Sequence, residues 1–136
     1  MSTPRLRILY AEDDLDTREL TYLILTQAGF EVVCADSAVD VIQLAKEQSF
    51  DAYLLDNWMP EVSGWELCQQ IKEFDSHTPI IFYSAAAYQY DKDKAFAMGA
   101  QSYITKPARG EELVSTIEIA VTSRYLGGRS EQASGG

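Results

Sequence analysis

An α/β fold built on a parallel sheet covered on both faces is predicted by three observations. Short runs such as Ile8-Leu9-Tyr10-Ala11, Tyr53-Leu54-Leu55 and Ile80-Ile81-Phe82-Tyr83 are apolar on both strand faces, the mark of strands buried from two sides. Stretches with helical spacing separate them. The alternation repeats five times, and crossovers of that length join parallel neighbours.

The elements follow in order. Strand one is Leu6 to Ala11. Helix one opens at the capping-box pattern Asp16-Thr17-Arg18-Glu19, with Asp14 or Asp16 as the cap, and carries Leu20, Leu23, Ile24 and Ala28 at helical spacing before Gly29 stops it. Phe30 to Ala35 is β-branched and forms strand two, and Ser37 opens a helix through Val41, Leu44 and Ala45. Ala52 to Leu55 is strand three. Pro60 and Gly64 bracket a turn, Ser63 caps, and Trp65, Leu67, Cys68, Ile71 and Phe74 continue as helix three. Pro79 blocks any helix there, so Ile80 to Ser84 reads as strand four. A polar, alanine-containing helix from about Asp91 to Met98, closed by Gly99, is the weakest element of the pattern. Tyr103 to Thr105 is strand five, and Glu111 to Tyr125 is the last helix, with Leu113, Ile117, Ala120 and Val121 on one face and Gly127 past its end. The Gly/Ser-rich segment 127–136 is expected as a disordered tail.

A chain of 136 residues fits one domain, able to bury roughly two-thirds of its unfolded surface. Eleven basic against twenty-one acidic side chains give a net charge of −10, a field that repels nucleic-acid phosphates and anionic lipid. No direct nucleic-acid binding and no membrane insertion are therefore expected; the longest uncharged apolar stretch, Leu20 to Phe30, is too short to span a bilayer. Cys34 and Cys68 form no CxxC pair, so they read as two buried thiols of a cytoplasmic protein. His77, the sole histidine, reads as a surface residue.

Chemistry is expected where the strands end. Glu12 and Asp13 follow strand one, Asp56 follows strand three and Lys106 follows strand five, and the carboxyl edge of a parallel sheet is where such folds place their sites. Hard oxygen ligands suit Mg²⁺, with Mn²⁺ as a substitute, so Glu12, Asp13 and Asp56 are candidate metal ligands. An ionised Asp56 can serve as a covalent nucleophile toward phosphorus, with Lys106 and the Ser84 hydroxyl placed to meet phosphoryl oxygens.

Glu12-Asp13, Asp56 with Met59-Pro60, Ser84-Ala85 and Tyr103-x-x-Lys106-Pro107 together resemble the receiver domain of two-component response regulators, the CheY-like superfamily. The resemblance covers about Leu6 to Leu126, which makes 1–126 the expected receiver domain. It implies a flavodoxin-like sandwich with strand order 2-1-3-4-5, and phosphoryl acceptance at Asp56 from a phosphohistidine on a sensor histidine kinase or histidine phosphotransfer protein. It further implies the Trp58 backbone carbonyl as a metal ligand, Ser84 and Tyr103 as switch residues and a cis Lys106-Pro107 bond. A downstream protein target is implied too, as is a homodimer through the face of helix four, strand five and helix five. Weak autophosphorylation and self-dephosphorylation come with the family, whose members signal rather than turn over a substrate.

Serine stands at 84 where the family more often has threonine, and Ala108 where it has phenylalanine. Trp58, two residues past Asp56, is expected to shield an acyl phosphate. Competing classes are weaker. A haloacid-dehalogenase-type phosphohydrolase wants an aspartate where Trp58 stands, and an FMN carrier wants a glycine- and threonine-rich loop after strand one. A phosphorylation-independent interaction module has no use for the retained site residues.

Overall fold

In a computed structural model, which describes residues 5–134 and their side chains as far as Arg124, five strands and five helices alternate. They are β1 (Arg7–Ala11), α1 (Leu15–Gln27), β2 (Glu31–Ala35), α2 (Ala38–Glu47), β3 (Ala52–Leu55), α3 (Gly64–Phe74), β4 (Ile80–Ser84), α4 (Gln89–Ala97), β5 (Ser102–Thr105) and α5 (Gly110–Ser134). All strand pairs are parallel and the order is β2-β1-β3-β4-β5, the flavodoxin-like arrangement. The chain steps outward from β1 in one direction to β2 and in the other to β3. A crevice opens at the carboxyl ends where those paths part.

Alternation along the strands sends side chains into two layers. Leu9, Ala11, Tyr53, Leu55, Ile80 and Phe82 pack with Val41, Leu67, Ile71 and Ala95 of α2, α3 and α4. Ile8, Tyr10, Leu54, Ile81 and Tyr83 pack with Leu25, Leu113 and Ile117 of α1 and α5. Each large apolar side chain fully buried this way contributes about 1.5–3 kcal/mol.

Of the two expected caps of helix one, Asp14 is the N-cap, its carboxylate accepting from the Thr17 N–H at 2.9 Å and hydroxyl at 2.7 Å, while Asp16 lies inside the first turn; the inward face of the helix departs from the expectation. Its inward residues are Thr21 and Leu25, while Leu20 and Leu23 are more than half exposed. Leu20, Tyr22, Leu23, Ile24 and Leu25 surround the helix with apolar groups, so spacing alone does not choose a face. Polar anchoring does: the Arg18 guanidinium donates to the Glu12 carbonyl at 2.9 Å.

Ser37 and Ser63 cap α2 and α3 as expected. Helix α4 starts two residues before Asp91, and the Asp91 carboxylate accepts from the Tyr88 N–H at 3.1 Å. Helix α5 does not stop at Gly127 but runs on to Ser134. A glycine costs a helix only about 1 kcal/mol relative to alanine, which does not force an end. Residues 135 and 136 of the expected tail lie outside the described residues.

Candidate functional site

Ladder hydrogen bonds carry the sheet one residue past three strands and aim the next side chains into the crevice. The Glu12 N–H donates to the Ala35 carbonyl at 3.0 Å, the Asp56 N–H to Ala11 at 3.2 Å and the Lys106 N–H to Ser84 at 2.9 Å. Glu12 and Asp56 are thereby buried, and Asp13 is exposed at the rim. Ligand atoms of Glu12, Asp13 and Asp56 all lie within 4.8 Å of one another, so the three carboxylates could hold a metal ion. Their hard oxygens fit a divalent cation such as Mg²⁺.

Lys106 completes the cluster. Its Nζ donates to Glu12 Oε1 and, at 3.1 Å, to Asp56 Oδ2. Asp56 Oδ1 accepts from the Trp58 N–H at 3.3 Å, and Glu12 also accepts from the Tyr10 hydroxyl and the Asp14 N–H, each at 3.3 Å. Burial pushes the Glu12 carboxyl above its usual range; the Lys106 ammonium pulls the other way, and the neighbouring Asp56 charge adds to the rise. Burial alone would lower the Lys106 ammonium, yet its contacts with Glu12 and Asp56 hold it above the ordinary lysine value.

Beside this cluster, Ser84 is fully buried and its Oγ accepts from the Ala86 N–H at 3.3 Å. Tyr103 points inward: its hydroxyl donates to the Ala86 carbonyl at 2.5 Å, and its ring stacks on Phe82 with centroids 5.7 Å apart. Ser84 and Tyr103 thus share one loop residue. Trp58 is 63% exposed. The Lys106-Pro107 bond is cis.

Asp56, Glu12, Asp13, Lys106, Ser84 and Tyr103 are all brought to one edge. The sequence did not single out Tyr10, whose hydroxyl bond to Glu12 was hidden inside an apolar strand run, or Tyr83, whose ring lies 5.4 Å from the Lys106 Nζ. Gly64 was read only as a turn residue; its closeness to Asp56 comes from the return of α3. His77 is exposed, Cys68 buried and Cys34 half-buried. No helix among the described residues is long and apolar enough to cross a membrane.

The strand order and the acidic cluster at the carboxyl edge place the chain among flavodoxin-like α/β proteins, with its candidate site where such folds put theirs. Residues 8–118 match the response regulator receiver domain. YrkP, an uncharacterised transcriptional regulatory protein of Bacillus subtilis (strain 168), is 40% identical over 119 residues, covering 88% of this chain and 50% of that protein. A response regulator receiver domain protein from Clostridium thermocellum superposes with a TM-score of 0.84 at 25% identity, covering 89% of this chain and 98% of that one. The receiver domain of a sensor histidine kinase from Pseudomonas aeruginosa PAO1, solved with a magnesium ion coordinated in its active site cleft, shares the fold. Its TM-score is 0.82 at 24% identity, over 88% of this chain and all of that one (100%). The chain belongs to the response regulator receiver domain family. It spans about half the length of the curated relatives it matches.

Proposed function

We propose that the chain is a phosphorylation-controlled signalling switch that accepts a phosphoryl group on Asp56 from a phosphohistidine of a sensor histidine kinase or histidine phosphotransfer protein. The observation that carries it is the convergence of Glu12, Asp13, Asp56 and one ammonium at the carboxyl ends of β1, β3 and β5. An Asp56 oxygen attacks phosphorus, the P–N bond breaks, and the leaving imidazole nitrogen keeps the electron pair. Lys106 pairs with one phosphoryl oxygen and the Ser84 hydroxyl donates to another. A bound Mg²⁺, held by Glu12, Asp13, Asp56 and the Trp58 carbonyl, supplies charge neutralisation to the carboxylates and the phosphoryl group.

The signal leaves through Ser84. Its Oγ now holds the Ala86 N–H, and Ala86 holds Tyr103. Turning the hydroxyl toward a phosphoryl oxygen releases that loop and biases where the Tyr103 ring rests. Near-complete inversion of such a two-state element takes about 5.5 kcal/mol, and a phosphoryl group offers roughly −1.5 to −2 charges and several strong acceptors to supply it. Tyr88, Tyr90 and Phe96 stand 81, 65 and 47% exposed beside this loop and on α4, a face suited to a downstream protein or to a second copy across α4, β5 and α5. Slow reaction with small phosphodonors and slow self-hydrolysis accompany this role.

Incubation with acetyl phosphate and Mg²⁺, read by intact mass and peptide mapping, is expected to add one phosphoryl group at Asp56. No uptake, or uptake at another residue, overturns the proposal.

Mg²⁺ affinity is also expected to depend on pH. Glu12 holds its proton more tightly folded than unfolded. Its contribution to stability is therefore full below its unfolded pKa and is lost as pH rises through the raised folded value. A cation needs the ionised form, so affinity rises across that same window and binding releases protons. Calorimetry in buffers of different ionisation enthalpy reads the release; identical heats and a flat affinity across the window speak against Glu12 as a ligand.

A further inference from the structure

The Lys106 ammonium has an aromatic neighbour as well as its two carboxylates. Its Nζ lies 5.4 Å from the centroid of the Tyr83 ring, and Tyr83 is 7% exposed. Tyr83 faces the layer filled elsewhere by Ile8, Leu54 and Ile81, so packing alone would accept an aliphatic residue. An aromatic face attracts a cation, and more strongly where water is excluded. The ammonium also donates to Glu12 Oε1, which accepts from the Tyr10 hydroxyl as well.

Both carboxylates are claimed by the proposed chemistry. Acyl-phosphate formation at Asp56 removes the carboxylate charge that Oδ2 now offers Lys106, and cation binding engages Glu12. The ring face is neither a metal ligand nor a phosphoryl acceptor. Without it, only the phosphoryl oxygen would hold the flexible four-carbon stem of the lysine back from solvent once its carboxylates are engaged.

We propose that Tyr83 is a positioning residue for Lys106, its ring face keeping the ammonium over the Asp56 edge when the carboxylates no longer hold it. The geometric part stands on the contacts alone; the kinetic part rests on Asp56 as phosphoryl acceptor.

Two measurements test it. In the metal-free wild type, the Lys106 methylene protons nearest Nζ are expected upfield of ordinary lysine in the NMR spectrum, a ring-current shift kept in Tyr83→Phe and lost in Tyr83→Leu. At saturating Mg²⁺ and acetyl phosphate, Tyr83→Leu is expected to phosphorylate about tenfold more slowly and Tyr83→Phe within about twofold of wild type, the cost of a desolvated cation–ring contact. Mg²⁺ affinity stays unchanged in both. Tyr83→Met, closer to the ring in length and flexible, replaces Tyr83→Leu if the latter does not fold. Adding Tyr83→Leu or Tyr83→Met to Lys106→Met should slow the reaction no further.

An unshifted Lys106 resonance overturns the proposal, as do equal rates in all variants, equal slowing by Phe and Leu, or full additional slowing in the double variant. If the wild type itself takes up no phosphoryl group, the acceptor role of Asp56 fails, and the ring-current shift still decides the contact.

Discussion

Asp56→Asn protein will take up no phosphoryl group from acetyl phosphate and Mg²⁺ above the uncatalysed background, while keeping its fold. The amide matches the carboxylate in shape, and its single oxygen can keep one of the two native bonds, from the Trp58 N–H at 3.3 Å to Oδ1 or from Lys106 at 3.1 Å to Oδ2, while its NH2 faces the other donor. What it lacks is the charge that makes the oxygen a nucleophile. Losing one of three clustered carboxylates also weakens cation binding. Since the Asp56 charge helps to push the Glu12 carboxyl upward, Glu12 should titrate at lower pH in the variant. Intact mass reads the first effect and a pH titration followed by carboxyl NMR the second. Undiminished phosphorylation of Asp56→Asn would move the nucleophile elsewhere, with exposed Asp13 the nearest alternative.

How much was legible in the sequence depended on whether a residue's role is local. Strand β3 and the Ser37 and Ser63 caps were read directly, because a fully apolar run and a hydroxyl before a periodic stretch are one-dimensional signals. The strand-end acids and Lys106 could be placed together because parallel strands bring all their carboxyl ends to one edge. The inward face of α1 was missed, since Leu20 and Leu23 look as buriable as Leu25 and only tertiary contacts such as Arg18 to Glu12 choose between them. Helix α4 has weak amphipathic periodicity and began earlier than expected. Its anchors lie partly in another element: the Trp65 indole of α3 donates to the Asp91 carbonyl at 3.3 Å, and the Lys94 ammonium lies 4.4 Å from the Trp65 ring centroid. Tyr83 passed as a strand residue because nothing in the sequence of β4 shows that Lys106, in the turn after β5, comes back over its ring.

Replacing Gly64 by alanine is expected to damage stability and site together. A Cβ there would lie 2.5 Å from the Asp56 carbonyl oxygen, 2.8 Å from the Asn57 Cα and 3.0 Å from Phe82 Cε2. Two of those atoms are backbone, so no side-chain rotation relieves the clash; α3 must lift or the Asp56 segment must shift. The Gly64 N–H donates to the Asn57 carbonyl at 2.9 Å, so lifting the helix start also strains that bond. Overpacking of this kind costs about 1–3 kcal/mol, and a backbone partner places Gly64→Ala toward the upper end. Displacing Asp56 should also weaken Mg²⁺ and slow phosphorylation at least about tenfold, since a misplaced reacting group can cost as much as a hundredfold. Gly29→Ala separates the two effects. Gly29 has φ +102, and a Cβ added to it would meet nothing within 4 Å, so alanine there meets only left-handed backbone strain, about 1–2 kcal/mol, and leaves the site intact. Urea melts and phosphorylation rates of both variants decide it: a Gly64→Ala protein as stable and as fast as wild type would mean that α3 can move without carrying Asp56, and the tight seam between helix start and acceptor would not be what holds the carboxylate in place.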